Sequence, residues 1–519
     1  MYRFSISPTL VPAITLMLLA GAIGAQAQAV QLEASSRALE IRGATAGERF
    51  GRPMVCVDLD GDGADEMVIG ADKSYFLDGS RPTLYIFRGG ANFARADLID
   101  LATDSADAVV LGESGSDNLA SSLAAGDVNG DGYEDLLATD STLTVSGRTY
   151  AGAAYVVFGS PDFFQTATYD LAAGDWDVKI LGAAAGDDLG AWSMFLGAVS
   201  TGLAGGDLDG DGVADIAVGA HLADSNGRSD SGALYVIFGD PGFSSGTTID
   251  LASQADVTIL ANQTGNELGS ALAIADVNGD RIGDLVAGYY YGSSGAFTSE
   301  GRVLVFYGSG SWPSTINLAS VNPDLRILGA TAGDELGWAV AAADVDGDGV
   351  SDILGAANAW NSDAGAVYGV YGGSGLPSEI NLASTSPGFF VQGTSNAHPI
   401  GDSVVSGDFD GDRIGDFMYA SRDGERPGYN GEGRTFIILG KTGGIDSLLQ
   451  VAGDEADLII NGGVNGFQLG DFIASGDVDG DGADEILIAA PFVDSVKGRV
   501  LVFDLNPVTA VRSHWSNYR

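Results

Sequence analysis

The sequence predicts an all-β fold, a seven-bladed β-propeller of four-stranded antiparallel blades. Three observations predict it. An acidic nine-residue stretch recurs seven times, roughly 70 residues apart. A strand of the form Gly-X-(Val/Leu/Tyr)-X-(Val/Ile)-Phe-Gly also recurs seven times in recognisable form, near Leu84, Tyr155, Tyr235, Leu304, Tyr368, Phe436 and Leu501. A third, shorter strand of the Ile-Leu-Gly type has seven copies too, but its first, Leu39-Glu-Ile-Arg-Gly43, precedes every acidic stretch and nothing equivalent follows Phe503. A circle accounts for the displaced copy. The N-terminal strand completes the last sheet, and the ring keeps only short, protected edges. A linear solenoid would leave the seventh sheet incomplete.

Within one repeat the elements follow from pattern. Leu325-Arg-Ile-Leu328 is a short strand ending at Gly329, and a polar loop runs to Glu335. Trp338-Ala-Val-Ala-Ala-Ala343 is a second strand that runs into the acidic stretch, and Asp352-Ile-Leu-Gly-Ala-Ala357 is a third. After a loop through Trp360 and Asn361, Gly365-Ala-Val-Tyr-Gly-Val-Tyr371 alternates with period two, the mark of a fourth strand. No helical periodicity interrupts the pattern.

The 78 glycines follow no collagen period and read as turns between many short strands. A net charge of −46 argues against nucleic acid and anionic membrane surfaces and for cations. Residues 1–29 read as a secretory signal peptide: Arg3, an apolar run too short to span a bilayer, then Ala25-Gln-Ala27-Gln-Ala29. The expected product is an exported protein, secreted or periplasmic, with a propeller over residues 30–507, a tail over 508–519, and no membrane insertion. It is expected to be a monomer. A single cysteine, Cys56, rules out an internal disulfide and reads as a core thiol. Packing and metal are left to stabilise the fold.

The acidic stretches have the spacing of a calcium loop. Calcium takes six to eight hard oxygens at flexible distance, and side chains at positions one, three and five of a tight coil converge on one point. Position one is Asp58, Asp127, Asp207, Asp276, Asp344, Asp408 and Asp477. Position three is Asp60, Asn129, Asp209, Asn278, Asp346, Asp410 and Asp479, and position five is Asp62, Asp131, Asp211, Asp280, Asp348, Asp412 and Asp481. A backbone carbonyl is expected from position seven: Ala64, Tyr133, Val213, Ile282, Val350, Ile414 and Ala483. Position nine closes the site with Glu66, Asp135, Asp215, Asp284, Asp352, Asp416 and Glu485; in loops one and seven the preceding Asp65 and Asp484 are alternatives. Position twelve carries no carboxylate and strands flank the loops, so these are not EF-hands. Asn129 and Asn278 are neutral ligands, and Arg281 and Arg413 stand where glycine eases the turn, so loops two, four and six are expected to bind less well. Up to seven Ca2+ sites are expected.

These stretches, with their flanks, resemble the FG-GAP repeats of the integrin α-subunit N-terminal propeller and its bacterial relatives. The opening dipeptide reads Phe50-Gly51, Leu189-Gly190, Leu268-Gly269, Leu336-Gly337, Ile400-Gly401 and Leu469-Gly470, with Leu119-Ala120 as the departure. The closing triplet reads Gly70-Ala71-Asp72, Gly219-Ala220-His221, Gly355-Ala356-Ala357 and Ala489-Ala490-Pro491. The resemblance covers residues 38–505. It implies calcium loops joining the first and second strands of each blade on a lower face, and ligand binding on the upper face. The chain has no Arg-Gly-Asp tripeptide.

No nucleophile elbow, zinc-binding helix or phosphate loop is present, and His221, His398 and His514 read as surface or loop residues. The loops between the second and third strands hold Tyr75, Phe76, Tyr150, Tyr289, Tyr290, Tyr291, Trp360 and Tyr429, and the longer third repeat adds Trp192, Met194 and Phe195. Two readings stand side by side: packing between blades, or a shallow rim that binds an extracellular protein or glycan. The function expected is an exported calcium-binding recognition or adhesion module. A propeller-scaffold hydrolase or lyase acting on extracellular polymer is the alternative, and a structural matrix component is a third class.

Overall fold

The computed structural model describes residues 30–34, 37–71, 81–91, 93, 97–114, 118–191, 202–293, 298–393, 400–425, 428–450 and 455–505. Seven small sheets form the ring. In blade five the inner strand Leu336–Ala343 pairs antiparallel with Asp352–Ala357, then Ala366–Val370, then Phe389–Gln392. The other blades repeat this order. Inner strands of neighbouring blades touch in succession, and that of blade seven (Phe472–Gly476) touches that of blade one (Phe50–Val57).

The expected four strands per blade are present, but every sheet has a fifth. Between its third and fourth strands each blade sends out a short segment that pairs parallel with the outer strand of the preceding blade. Thr168–Asp170 of blade two, for instance, lies along Ala108–Leu111 of blade one. Its side chains explain its shortness. Asp170 Oδ1 accepts the N–H of Ala172 at 3.0 Å, and Asp100, Asp250, Asn317 and Asn381 cap the corresponding turns in the same way.

Ring closure is therefore double. Leu39–Arg42 is the fourth strand of blade seven, antiparallel to Arg499–Phe503, as the displaced repeat requires. Ahead of it, Val30–Glu33 supplies the fifth strand of blade six, parallel to Leu458–Asn461.

Each blade is covered on both faces by its neighbours, so its second strand is buried along its whole length, and the third strand is too except at Tyr85 and Arg499. Between blades one and two, Val68, Leu84 and Ile86 pack with Leu123, Tyr155 and Val157. The repeated glycines allow this closeness: a Cβ on Gly219 of blade three would lie 1.9 Å from the carbonyl oxygen of Gly269 in blade four. Cys56 is half-buried beside Gly476, and burial pushes its thiol pKa up. Among the described residues no helix is long and apolar enough to cross a membrane.

Candidate metal centres

Each acidic stretch is a tight loop between the first and second strands of its blade. Loop five shows the design. Asp344 Oδ1 accepts the N–H groups of Gly347 (2.8 Å) and Asp348 (3.0 Å), and its Oδ2 accepts that of Gly349 (2.8 Å). Asp346 Oδ1 accepts from Asp348, and Asp348 Oδ1 accepts from Val350. These bonds turn the carboxylates of positions one, three and five inward. One oxygen from each of Asp344, Asp346 and Asp348 lies within 4.8 Å of the other two. Further triads among the described residues converge to the same limit, among them Asp58–Asp60–Asp62, Asp207–Asp209–Asp215, Asp408–Asp410–Asp416 and Asp477–Asp479–Asp481. Gly347 and Gly349 have φ of 73° and 90°. Arg281 and Arg413 take the same left-handed backbone, φ 73° and 69°, at roughly 1–2 kcal/mol each.

The carboxylate at position nine has a second task. Asp352 Oδ2 accepts from Val345 at 2.9 Å and its Oδ1 from Gly372 at 2.8 Å, which ties the loop to the exit of the third strand. Asp135, Asp215, Asp284 and Asp416 make the same pair of bonds. Burial pushes Asp135, Asp215, Asp284 and Asp352 up to about 7, Asp416 and Glu66 to about 8, and Glu485 to about 9.

The residues fit a hard cation. Asp60 has a side chain only 10% exposed, and its Oδ1 accepts no hydrogen bond among the described residues. A group of desolvated carboxylates with an oxygen left over is what a divalent ion satisfies. In loops two and four the Asn129 and Asn278 amides instead donate to Asp131 and Asp280, both at 3.0 Å, a neutral cross-link that eases repulsion between the carboxylates.

The loops are also joined to one another. The N–H at position eight donates to the carbonyl at position one of the preceding loop: Ala214 to Asp127 (2.9 Å), Gly283 to Asp207 (2.8 Å), Ser351 to Asp276 (2.9 Å), Gly415 to Asp344 (2.7 Å) and Asp484 to Asp408 (2.8 Å). Asp65 to Asp477 (2.8 Å) carries the belt across the closure. Position seven adds packing. Its side chain covers the position-four glycine of the preceding loop, where a Cβ would meet Tyr133 over Gly61, Val213 over Gly130, Ile282 over Gly210, Val350 over Gly279, Ile414 over Gly347, Ala483 over Gly411 and Ala64 over Gly480. Loop spacing assigns position seven only a carbonyl; the apolar residue found there in most copies is the sequence signal for this packing.

The opposite face carries a cleft of about 470 Å³ between blades two and three. The turn 184–187 and the segment 222–226 form its walls, with Asp187, Asp224, Asp230 and Tyr235 among its polar groups. Beside it stands Tyr150, 60% exposed, whose carbonyl accepts the N–H of Asp188 at 3.1 Å.

With this geometry in place, the FG-GAP repeat family model matches residues 119–157, 199–237, 268–306, 336–370 and 469–503. The chain carries five FG-GAP repeats on a seven-bladed propeller. Phosphatidylinositol-glycan-specific phospholipase D of Rattus norvegicus is 36% identical over 152 residues, 29% of this chain and 17% of the relative. The protein of the same name from Dictyostelium discoideum is 24% identical over 348 residues, 64% of this chain and 35% of the relative. Integrin alpha-PS2 of Drosophila melanogaster is 26% identical over 305 residues, 54% of this chain and 19% of the relative. The matches thus span about a third or less of each relative's own length.

The aromatic residues singled out in the FG-GAP propeller divide three ways. Tyr75, Phe76 and Trp192 lie outside the described residues, as do Met194, Phe195, His398 and His514. Tyr289 and Tyr290 do not form a rim: both are buried in the core. The ring of Tyr290 meets Trp338 of blade five edge-on at 5.1 Å, and its hydroxyl bonds Glu267. Packing between blades accounts for these two. Tyr291 is half-buried against Tyr290, Trp360 is half-buried against Phe390, and Tyr429 is half-exposed. Replacing Tyr290 with alanine should lower stability by roughly 3–5 kcal/mol in chemical denaturation. An unchanged midpoint would contradict the packing role. His221 is also buried rather than superficial, and burial lowers its pKa to about 4.

Proposed function

We propose that the protein is an exported, calcium-stabilised FG-GAP propeller that recognises an extracellular protein or glycan ligand on the face opposite its metal loops. The observation that carries this reading is the cleft beside Tyr150. An exposed tyrosine offers an apolar face to a sugar ring or side chain, and Asp187, Asp224 and Asp230 offer acceptors to hydroxyl or amide groups. Calcium, held by the carboxylates at positions one, three, five and nine, fixes the blades that present this surface. The test is binding to arrays of glycans and extracellular proteins in calcium. Tyr150→Ala and Asp224→Asn should each weaken capture at least about ten-fold without shifting the melting temperature. Capture unaffected by both variants would sink the assignment of the cleft.

A second reading has support of its own. Relatives named phosphatidylinositol-glycan-specific phospholipase D favour a hydrolase, or a propeller that serves one. Incubation with vesicles bearing a glycosylphosphatidylinositol-anchored reporter decides between them. Release of soluble reporter would support the hydrolase and displace the recognition reading, whereas binding without release supports recognition.

A further inference from the structure

Loop one faces a cation of the protein's own. Arg88 follows the third strand of blade one, Thr83–Phe87. Its Nη2 lies 3.2 Å from Asp60 Oδ2, and its guanidinium carbon lies 4.0 Å from the ring centroid of Phe164 in blade two. At the same place after the third strand the other blades carry Phe158, Phe238, Tyr307, Tyr371, Leu439 and Asp504, none of them basic. Asp60 therefore has one oxygen on an arginine, while the other, Oδ1, is buried without a hydrogen-bond partner among the described residues. Asp58, Asp60 and Asp62 converge as they do in the other triads.

We propose that Arg88 is a resident counter-ion of loop one, which makes this loop take calcium after loops three and five. The inference rests on the calcium reading of the loops. Like charges a few ångströms apart repel even at the effective dielectric of a protein surface, so an entering divalent ion and the guanidinium compete for Asp60. Phe164 gives the displaced guanidinium a second partner, through cation–π attraction, so it need not return to bulk water. Loop one also borders the closure, through the Asp65 bond to Asp477. A late-filling site is thus hydrogen-bonded to blade seven, the blade whose sheet is closed strand to strand by Leu39–Arg42.

The probe is terbium(III), a calcium mimic with strong anomalous scattering. Crystals of the full propeller equilibrated at graded terbium give the occupancy of each loop separately. Wild-type protein should fill loops three and five before loop one. Arg88→Gln should bring half-filling of loop one to a roughly five-fold lower concentration and leave loops three and five unmoved. Arg88→Met, uncharged and apolar beside Phe164, should behave like Arg88→Gln, and Arg88→Lys like wild type. Loop one filling together with loops three and five in the wild type, or an unshifted loop one in both neutral variants, overturns the proposal. Terbium absent from every loop overturns the calcium reading itself.

Discussion

Chelation with EGTA should lower the melting temperature of the FG-GAP propeller by up to about 10 °C. Extracellular calcium modules have dissociation constants of roughly 0.1–1 mM, so a site at the tight end gains about 1.4 kcal/mol at ~1 mM calcium. Seven sites of that kind would set a ceiling of on the order of 10 kcal/mol, with loops two, four and six contributing less. The unfolding entropy of a chain this size is about 1 kcal/mol per degree, which converts that ceiling to about 10 °C. Geometry gives a reason for the whole ring to respond. The aspartate at position one would offer its carboxylate to an ion, and in six of the loops its carbonyl takes the N–H of the next blade. An ion that stiffens one loop therefore stiffens the junction beside it. Scanning calorimetry in calcium and in EGTA at matched ionic strength gives the answer. Equal melting temperatures would mean that the hydrogen bonds of the carboxylates and the backbone hold the loops without metal.

The parts of this architecture legible in the sequence are those repeated in register. Asp344, Asp346 and Asp348 announce themselves because six other loops place an acid or its amide at the same offsets. The closure was legible because Leu39–Arg42 is a copy out of place. The fifth strands were not seen. Thr168–Asp170 is too short for a period of two to register, and its partner belongs to the preceding blade. A signal was present all the same: Leu98-Ile-Asp-Leu-Ala102, Thr248-Ile-Asp-Leu-Ala252 and Glu379-Ile-Asn-Leu-Ala383 are themselves a repeat. Tyr289 and Tyr290 misled because local pattern cannot separate an aromatic residue at a rim from one at a strand end. Trp338, which covers Tyr290, comes from the next blade. Arg88 was silent for a similar reason, since it meets Asp60 from the far end of two strands.

The largest effect is expected at the closure. A chain beginning at Ala44 lacks both Val30–Glu33 and Leu39–Arg42. Blade seven then loses the strand that covers Arg499–Phe503, and blade six loses the edge against Leu458–Asn461. Val500 and Val502, fully buried with Leu39 and Ile41, would face water on an open strand edge. The truncated protein should lose its cooperative transition and aggregate, measured by calorimetry and size-exclusion chromatography. A peptide of residues 30–43 added in trans should restore a transition, which separates a missing strand from general damage. The point variant Glu40→Ala examines the lock itself. Glu40 is buried and paired with Arg37, with Arg42 at 2.6 Å and with Arg499 of blade seven at 3.1 Å. Its removal leaves three guanidinium groups without their shared partner and should cost on the order of 3–5 kcal/mol, or about 3–5 °C by the same entropy. A truncated chain that melts as the full one does would show that the ring closes without its N-terminal strands, and the double closure would have to be given up.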